Sequence, residues 1–341
     1  MSEIKTILMT GGAGFIGSNF VHWLIKNHPD IRLVNLDALT YAGKLENLQG
    51  VMDHERHIFV KGDICDRGLL AELFQKYNPD AVLHFAAESH VDNSISGPGV
   101  FVKTNVDGSF CLLEAARAQW MEKPFTSKSG RENCRFLHVS TDEVYGTLGE
   151  TGLFTEETPY APNSPYSASK AASDMFVRAW HHTYGLNTVI TNCSNNYGPR
   201  QHGEKLIPTI IRNALKGNPI PIYGDGGNVR DWLYVDDHCR GIFLALTKGQ
   251  AGRTYNIGGR NEWNNLSIAK KICSILDEKA PRSDSKPYST QITFVTDRPG
   301  HDLRYAIDAT RIETELGWKA HEDFASGIIK TIDWYLSGSV A

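Results

Sequence analysis

Tyr166 and Lys170 stand four positions apart, so both side chains share one face of any helix that contains them. A phenol beside an ammonium group can serve as a base toward an alcohol, because the positive charge stabilises the phenolate. Lowering the phenol pKa by about 3 units from about 10 requires roughly 4 kcal/mol of such stabilisation. The pair indicates oxidation of an alcohol; the alternative is two residues that merely share an exposed helix face.

Thr141, Asp142 and Glu143 add a hydroxyl and two carboxyl groups ahead of that pair. Oxidation of an alcohol needs one base, whereas removal of water from a carbon chain needs a second base and an acid. Adjacent strand residues point to opposite faces, so both carboxyls reach one substrate only if the backbone leaves strand geometry at Asp142. The alternative is that the two carboxyls begin a helix or are solvated loop charges.

A glycine motif, Gly11-x-x-Gly14-x-x-Gly17, lies between an apolar strand and a helix near the start of the chain. Glycine lets the backbone approach a pyrophosphate, and free N–H groups at a helix N-terminus attract its charge. Asp37 ends the second strand, where a carboxylate accepts hydrogen bonds from ribose hydroxyls and repels a 2′-phosphate. The motif predicts NAD rather than NADP; the alternatives are a simple tight turn and, for Asp37, an ordinary loop or capping residue.

Short apolar runs rich in β-branched residues alternate with longer helical stretches along the chain. These elements must position the candidate reactive and cofactor-binding residues. Because the runs are apolar throughout, they predict strands buried on both faces, hence an α/β fold with a doubly wound parallel sheet (Rossmann). Ligands bind such sheets at the carboxyl ends of the strands. The residues expected there include Asp63, Ile64, Phe85, Ala86 and Ala87.

After Asn196 the pattern becomes irregular and rich in glycine, which indicates a smaller mixed α/β lobe for the substrate. We expect the NAD-binding domain to comprise residues 1–195 plus about 233–258. The substrate-binding lobe would comprise about 196–232 plus 259–341.

Composition limits the partners and the location of the chain. A formal net charge of -4 and a pI near 6.4 predict no nucleic acid partner. The six cysteines are scattered without metal-ligand spacing, which indicates reduced thiols and no metal site. With no membrane-length apolar stretch and no signal-like start, we expect a cytoplasmic protein that does not enter membranes.

Several segments together resemble the dTDP-glucose 4,6-dehydratases, which are extended short-chain dehydrogenases/reductases. The resemblance covers nearly the whole chain. The glycine motif and Tyr-x-x-x-Lys mark only the superfamily, whereas Thr-Asp-Glu and the Asp-Arg-Pro-Gly-His-Asp segment are much more specific. The similar segments are 10–17, 141–146, 166–170, 192–199, 230–235, 255–259 and 297–302.

The resemblance implies oxidation of dTDP-glucose at C4 by NAD, loss of water across C5 and C6, and return of hydride to C6. The product would be dTDP-4-keto-6-deoxyglucose. Tyr166, assisted by Thr141, would accept the O4 proton, while Lys170 would hold the nicotinamide ribose and stabilise the phenolate. Glu143 would remove the C5 proton, and Asp142, kept protonated by burial or by the Glu143 charge, would donate to the departing C6 hydroxyl.

The resemblance also implies ligand contacts and a homodimer, which would form through helices around 101–118 and 168–184. Further NAD contacts would be Phe15, Ile16, Leu39, Thr40, Ser89, Thr104, Tyr166, Lys170 and Asn196. Contacts to the nucleotide sugar would be Glu88, Ser89, Thr141, Asn195, Lys205, Leu206, Pro221, Tyr223, Arg230, Asn265 and His301. For Arg230 the alternative is a salt bridge to Asp225 or Asp231, and for His301 a capped turn.

Three other functions stay open at this point. A nucleotide-sugar 4-epimerase would use Tyr166, Lys170 and a Thr or Ser, but it has no use for Asp142 and Glu143. Residues 199–204 carry Arg, His and Gly where the family has an aromatic-and-proline sequence, so a 4,6-dehydratase acting on UDP-glucose is an alternative. A regulator that senses NAD could lose Tyr166 or Lys170, yet both are present.

Overall fold

The computed structural model describes residues 4–297 and 302–338. Its strands are β1 (Thr6–Thr10), β2 (Arg32–Asp37), β3 (His57–Lys61), β4 (Ala81–His84), β5 (Met121–Lys123), β6 (Thr126–Ser127), β7 (Arg135–Thr141), β8 (Thr188–Cys193), β9 (Asn195–Tyr197), β10 (Ile220–Tyr223), β11 (Val229–Tyr234), β12 (Thr254–Ile257), β13 (Glu262–Asn264), β14 (Ile292–Val295) and β15 (Arg304–Tyr305).

Helices connect these strands. They are α1 (Phe15–Asn27), α2 (Arg67–Tyr77), α3 (Val91–Ser96), α4 (Pro98–Phe101), α5 (Ser109–Trp120), α6 (Pro165–Tyr184), α7 (Leu206–Lys216), α8 (Val235–Lys248), α9 (Asn265–Lys279), α10 (Thr310–Leu316) and α11 (Phe324–Leu336). A π-helical segment, Val102–Gly108, joins α4 to α5, and 3₁₀ turns cover Leu45–Leu48, Asp142–Tyr145 and Tyr288–Gln291. Across 4–297 and 302–338, each helix is too short or too polar to cross a membrane.

A seven-stranded parallel sheet in the order β12-β8-β7-β4-β1-β2-β3 forms the centre of the molecule. Strands β1, β4, β7 and β8 are buried along their whole length, which explains why apolar residues predominate in them. The strand order reverses between β1 and β4, and this reversal opens a crevice at the carboxyl ends of the strands. The predicted doubly wound fold is confirmed.

The two faces of the sheet pack separate apolar cores because successive strand residues point to opposite sides. On β1, Ile7 and Met9 contact a core that contains Phe20 of α1, whereas Leu8 contacts the core that contains Leu112 of α5. Helices therefore cover both faces, and the strand ends are left to form the ligand cleft.

The chain after β8 builds a second core on α7, α9 and α11 around Ile207, Ile272 and Phe324. It is covered by a mixed sheet of β13, β11, β15 and β9 and by the parallel pair β10 and β14. Trp318 and α10 pack instead on the core of the large sheet, although they fall within the part of the sequence assigned to the smaller lobe. Because β11 continues directly into α8, the two cores share a continuous backbone connection.

Candidate active site

The predicted ligand residues meet in one cleft at the carboxyl ends of β1, β2, β4, β7 and β8. The cleft is lined by these predicted residues: Gly11, Gly14, Phe15, Ile16, Gly17, Asp37, Thr40, Asp63, Ile64, Phe85, Ala86, Ala87, Glu88, Ser89, Thr104, Thr141, Asp142, Glu143, Tyr166, Lys170, Asn195, Asn196 and Lys205. Predicted residues that do not line it are Leu39, Leu206, Pro221, Tyr223, Arg230 and Asn265. His301 lies outside the described residues.

The glycine turn has little room for side chains. Gly11 adopts φ +75°, and a Cβ there would lie 2.7 Å from the backbone nitrogen of Ala86. A Cβ on Gly17 would collide with the carbonyl oxygen of Gly11. Gly14 is the N-cap of α1 and provides no side-chain hydrogen bond, so the first N–H groups of the helix are left for a ligand in the cleft.

Asp37 lines the cleft where β2 ends and is held in place by two backbone donors. Its carboxylate accepts hydrogen bonds from Ala13 N and Leu39 N, each at 2.8 Å. Burial raises the pKa of the carboxyl, while these two hydrogen bonds lower it. Leu39, expected to contact the cofactor, thus contributes its N–H to orient Asp37, and its φ of +54° directs the chain away from the strand.

The two carboxyls predicted to be catalytic, Asp142 and Glu143, reach the same cleft because the backbone turns sharply after β7. Thr141 ends the strand, and its hydroxyl accepts a hydrogen bond from Glu143 N at 3.3 Å, which caps the 3₁₀ turn that begins at Asp142. The chain thus leaves strand geometry at the residue where the two-carboxyl interpretation required it. Both Asp142 and Glu143 line the same cleft as Tyr166.

The environment of Asp142 favours its protonated form. The residue is only 2% exposed, and its Oδ2 has no hydrogen-bond partner among the described residues. Burial, followed by the charges of Glu143 and Asp231, raises the Asp142 pKa well above its usual value. A carboxyl that favours its protonated form therefore lies beside Glu143, and this pair can divide the roles of acid and base.

Tyr166 and Lys170 lie in α6, whose first turn begins with Pro165 and is held by a capping box between Ser164 and Ser167. Burial, followed by the Glu143 charge, raises the Tyr166 pKa well above its usual value. The Lys170 ammonium donates to Val139 O at 2.9 Å and lies 3.3 Å from His138 Nε2. Desolvation thus dominates the Tyr166 pKa in the protein alone, and the predicted lowering stays a prediction that depends on the positively charged nicotinamide ring as well as on Lys170.

Arg230, predicted to contact the diphosphate, is directed at backbone carbonyls of the smaller lobe. Its guanidinium donates to Val229 O at 2.7 Å and Asp302 O at 2.9 Å, and it lies 4.3 Å from the ring centre of Tyr305. Its positive charge lowers the pKa of Asp142, so Arg230 lies close to the catalytic turn although it does not line the cleft. Tyr223, by contrast, is 42% exposed on β10.

The loop that departs from the family pattern lines one side of the cleft, which the sequence did not predict. Glu204 Oε2 lies 3.2 Å from His90 Nε2 and 3.3 Å from His202 Nδ1, so three side chains from the two sides of the cleft meet. Gln201, His202 and Glu204 line the cleft together with Cys193 and Ser194. The unusual composition of residues 199–204 was the feature of the sequence that could have indicated a role for this loop at the cleft. Within the described ranges, no cluster of His, Cys, Asp and Glu is suited to hold a metal.

Comparison with known proteins gives a consistent result. Residues 8–331 match the family described as GDP-mannose 4,6 dehydratase. A dTDP-glucose 4,6-dehydratase of Xanthomonas campestris pv. campestris is 60% identical over 98% of this chain and 94% of its own length. The crystal structure of the Streptomyces venezuelae dTDP-glucose 4,6-dehydratase, with NAD bound, is 47% identical at a TM-score of 0.87 and covers 98% of this chain and 97% of that one.

A crystal structure of UDP-glucose 4-epimerase from Thermotoga maritima, with UDP-glucose, is also similar. It covers 97% of this chain and 99% of that one at a TM-score of 0.84, but it is only 29% identical. The backbone is thus common to dehydratases and epimerases, and the side chains of the cleft must distinguish the two activities.

Proposed function

The chain belongs to the GDP-mannose 4,6 dehydratase family and, within it, to the dTDP-glucose 4,6-dehydratases, and we propose that it converts dTDP-glucose into dTDP-4-keto-6-deoxyglucose. The reaction oxidises C4, eliminates water across C5 and C6, and places a hydride on C6. It is an NAD-dependent hydro-lyase reaction without net oxidation.

One observation carries this proposal: a buried carboxyl that favours its protonated form, Asp142, lies next to Glu143 in the same cleft as Tyr166 and Lys170. An epimerase moves a hydride at C4 and needs only the Tyr, Lys and Thr or Ser set. The two additional groups are the acid and the base that elimination requires. Their convergence favours the dehydratase over the epimerase.

The cleft suits NAD by its own chemistry. The uncapped N-terminus of α1 offers N–H groups to a pyrophosphate, and Asp37 offers a carboxylate to ribose hydroxyls. Lys170, which also lines the cleft, would hold the nicotinamide ribose. When bound, NAD supplies the hydride acceptor at C4, the hydride donor at C6 and a positively charged ring that favours the Tyr166 phenolate.

We assign the proton transfers to side chains by their electrostatics. Tyr166 takes the proton of the C4 hydroxyl, which Thr141 orients. The ketone at C4 acidifies the C5–H bond, and Glu143 removes that proton. Asp142, neutral because of burial and the Glu143 charge, donates its proton to the departing C6 hydroxyl. Glu143 then returns a proton to C5.

The proposal is tested by mass spectrometry after incubation of the purified protein with dTDP-glucose, UDP-glucose and CDP-glucose separately. We expect loss of one water from dTDP-glucose without lasting accumulation of NADH. An isomer of unchanged mass would instead establish epimerisation. Water loss from UDP-glucose at an equal or higher rate would change the assigned nucleotide from dTDP to UDP. The comparison of the two substrates is useful because residues 199–204 depart from the family pattern.

Asp37→Asn is expected to weaken the preference for NAD over NADP. The variant keeps the size of the side chain but removes its negative charge. That charge would repel a 2′-phosphate, and it would strengthen the hydrogen bonds from the ribose hydroxyls. We expect the ratio of the two dissociation constants to change by about tenfold or more, as charged hydrogen bonds contribute about 1.5–3 kcal/mol. Fluorescence titration with both cofactors measures this ratio. Asp53→Asn, at an exposed turn, is the matched control, and an unchanged ratio in Asp37→Asn would remove Asp37 from the ribose site.

Turnover is expected to fall as the pH rises through about 8. Burial lowers the Lys170 pKa to about 8, so above this pH the ammonium loses its proton and no longer supports the Tyr166 phenolate. The rate should then decrease up to tenfold per pH unit. The pH profile of Lys170→Arg is the comparison, because a guanidinium stays charged; an alkaline limb at the same pH in both proteins would assign it to another group.

We further propose a homodimer and a cytoplasmic location. Ile95, Val100, Val102 and Met175 are each 49% exposed or more and lie on α3, α4, the π-helical segment and α6, which contact one another. Such an apolar surface supports association through these helices. Light scattering of the purified protein tests it, since a monomeric mass would exclude the dimer. The scattered cysteines support a reducing compartment.

A further inference from the structure

A second buried charge lies behind the cleft, one helical turn after Lys170. Asp174 follows on the same face of α6 and is completely buried, and Lys170 is 3% exposed. Neither Asp174 nor its neighbour His138 lines the cleft, so they are separate from the groups that would touch substrate. A buried charge costs several kcal/mol unless it is compensated, which raises the question of what Asp174 does.

His138 of β7 lies between the two charges. Its Nε2 is 3.3 Å from Lys170 Nζ and 3.2 Å from Asp174 Oδ1. The other carboxylate oxygen of Asp174 accepts hydrogen bonds from Ser140 Oγ at 2.8 Å and from the Tyr160 hydroxyl at 3.0 Å. Two hydroxyls thus fix the carboxylate and leave its Oδ1 facing the imidazole.

Burial favours the uncharged form of most of the other titratable groups around this site, and Glu143 on the cleft side is the charged exception. The His84 ring of β4 lies 5.0 Å from His138, is bonded to Thr10 and Ser109, and has a pKa lowered well below its usual value by burial. Burial also lowers the His138 pKa. Tyr145, Tyr160 and Cys193, the other neighbours, have pKa values raised by burial. On the cleft side, Glu143 and the neutral Asp142 face Tyr166.

Asp174 is therefore the carboxylate through which the protein compensates the Lys170 charge. Burial lowers the Lys170 pKa to about 8, and of the charges that oppose this decrease that of Asp174 has the largest effect. Burial raises the Asp174 pKa to about 7, and the lysine charge and the two hydroxyls oppose that increase. The charges of Lys170 and Asp174 thus stabilise each other, at a site where Asp174 is not exposed to solvent.

We propose that Asp174 and His138 are positioning residues of the reaction: the negative charge of Asp174 keeps Lys170 protonated, and the neutral His138 imidazole, whose Nε2 accepts from the Lys170 ammonium, keeps it in place beside the cleft. This inference rests on the proposed function, since it takes Lys170 as the residue that supports the Tyr166 phenolate. Neither residue needs to contact the substrate or the cofactor.

Asp174→Asn tests the proposal because it keeps the shape and an acceptor oxygen but removes the charge. We expect the Lys170 pKa to fall by about one unit or more, since the opposing charge is lost. NMR titration of protein with ¹³C-labelled lysine side chains measures this value without substrate, and the Lys170 signal is assigned by its absence in Lys170→Arg. Turnover at pH 7 should decrease about twofold for a shift of one unit and about tenfold for a shift of two, and the alkaline limb should move to lower pH by the same interval.

Two further variants and a control separate charge from structure. Tyr160→Phe removes one donor from Asp174 and should shift the Lys170 pKa in the same direction by less, so it decides the matter if Asp174→Asn does not fold. His138→Gln, which removes the bridge but keeps Asp174, should reproduce part of the shift. Ser173→Ala removes a buried hydroxyl from the same helix and should leave the Lys170 pKa and the pH profile unchanged.

An unchanged Lys170 pKa in Asp174→Asn would overturn the proposal. So would a turnover that falls equally at every pH with unmoved limbs, since that result indicates a structural role only. If the unsubstituted protein does not remove water from any nucleotide sugar, the proposed function fails, yet the NMR titration still decides whether Asp174 sustains the Lys170 charge.

Discussion

Replacing Glu143 by glutamine should leave the enzyme able to oxidise C4 but unable to eliminate water. Glutamine keeps the length of the side chain but cannot accept the C5 proton, and loss of a general base costs about 10²–10⁴-fold in rate. Because the Glu143 charge raises the Tyr166 pKa, its removal increases the fraction of Tyr166 present as phenolate, so oxidation is retained. Reduced cofactor should accumulate on the protein after addition of dTDP-glucose.

Two measurements check this expectation: the absorbance of bound NADH in a single turnover, and mass spectrometry of the released sugar. Glu55→Gln, an exposed position with the same chemical change, is the control and should behave like the unsubstituted protein. Rapid, unimpaired loss of water by Glu143→Gln would show that another group removes the C5 proton. The two-carboxyl interpretation of the catalytic turn would then be wrong.

Replacing Tyr166 by phenylalanine should stop the reaction at its first step. The ring keeps its packing against Phe101, but the group that accepts the O4 proton is lost. We expect turnover to fall by a factor on the order of 10³, with neither NADH nor dehydrated product formed. This absence of NADH distinguishes the Tyr166 variant from the Glu143 variant, because Tyr166 acts before the ketone at C4 has formed and Glu143 acts after it.

Single-turnover absorbance and product mass again provide the measurement, together with the amount of NAD retained on purification. Tyr77→Phe, which removes a hydroxyl from α2 away from the cleft, is the matched control. Accumulation of NADH in Tyr166→Phe at a rate near that of the unsubstituted protein would assign the first proton transfer to another residue. Thr141, which lines the same cleft, would be the first to examine.

The types and spacing of residues along the chain were enough to predict the glycine turn, the parallel sheet and several residues of the cleft. The glycine motif predicted the turn before α1 because only residues without Cβ fit beside the backbone of Ala86. Uninterrupted apolar runs predicted the parallel sheet because its strands are buried on both faces. The position of Thr141, Asp142 and Glu143 directly after such a run predicted that they lie at the cleft, since the carboxyl ends of parallel strands share one edge of the sheet.

Tertiary structure alone decided the electrostatics, because pKa values depend on burial and on neighbours distant in sequence. The spacing of Tyr166 and Lys170 does not reveal that burial and the Glu143 charge raise the Tyr166 pKa in the protein alone. Arg230, predicted to contact the nucleotide sugar, also donates to the carbonyl of Asp302, which is distant along the chain. Asp174 looked like one more polar residue of a helix until the packing of α6 on β7 placed His138 between it and Lys170. The sequence by itself thus determined which groups could react, and the packed structure decided their charges.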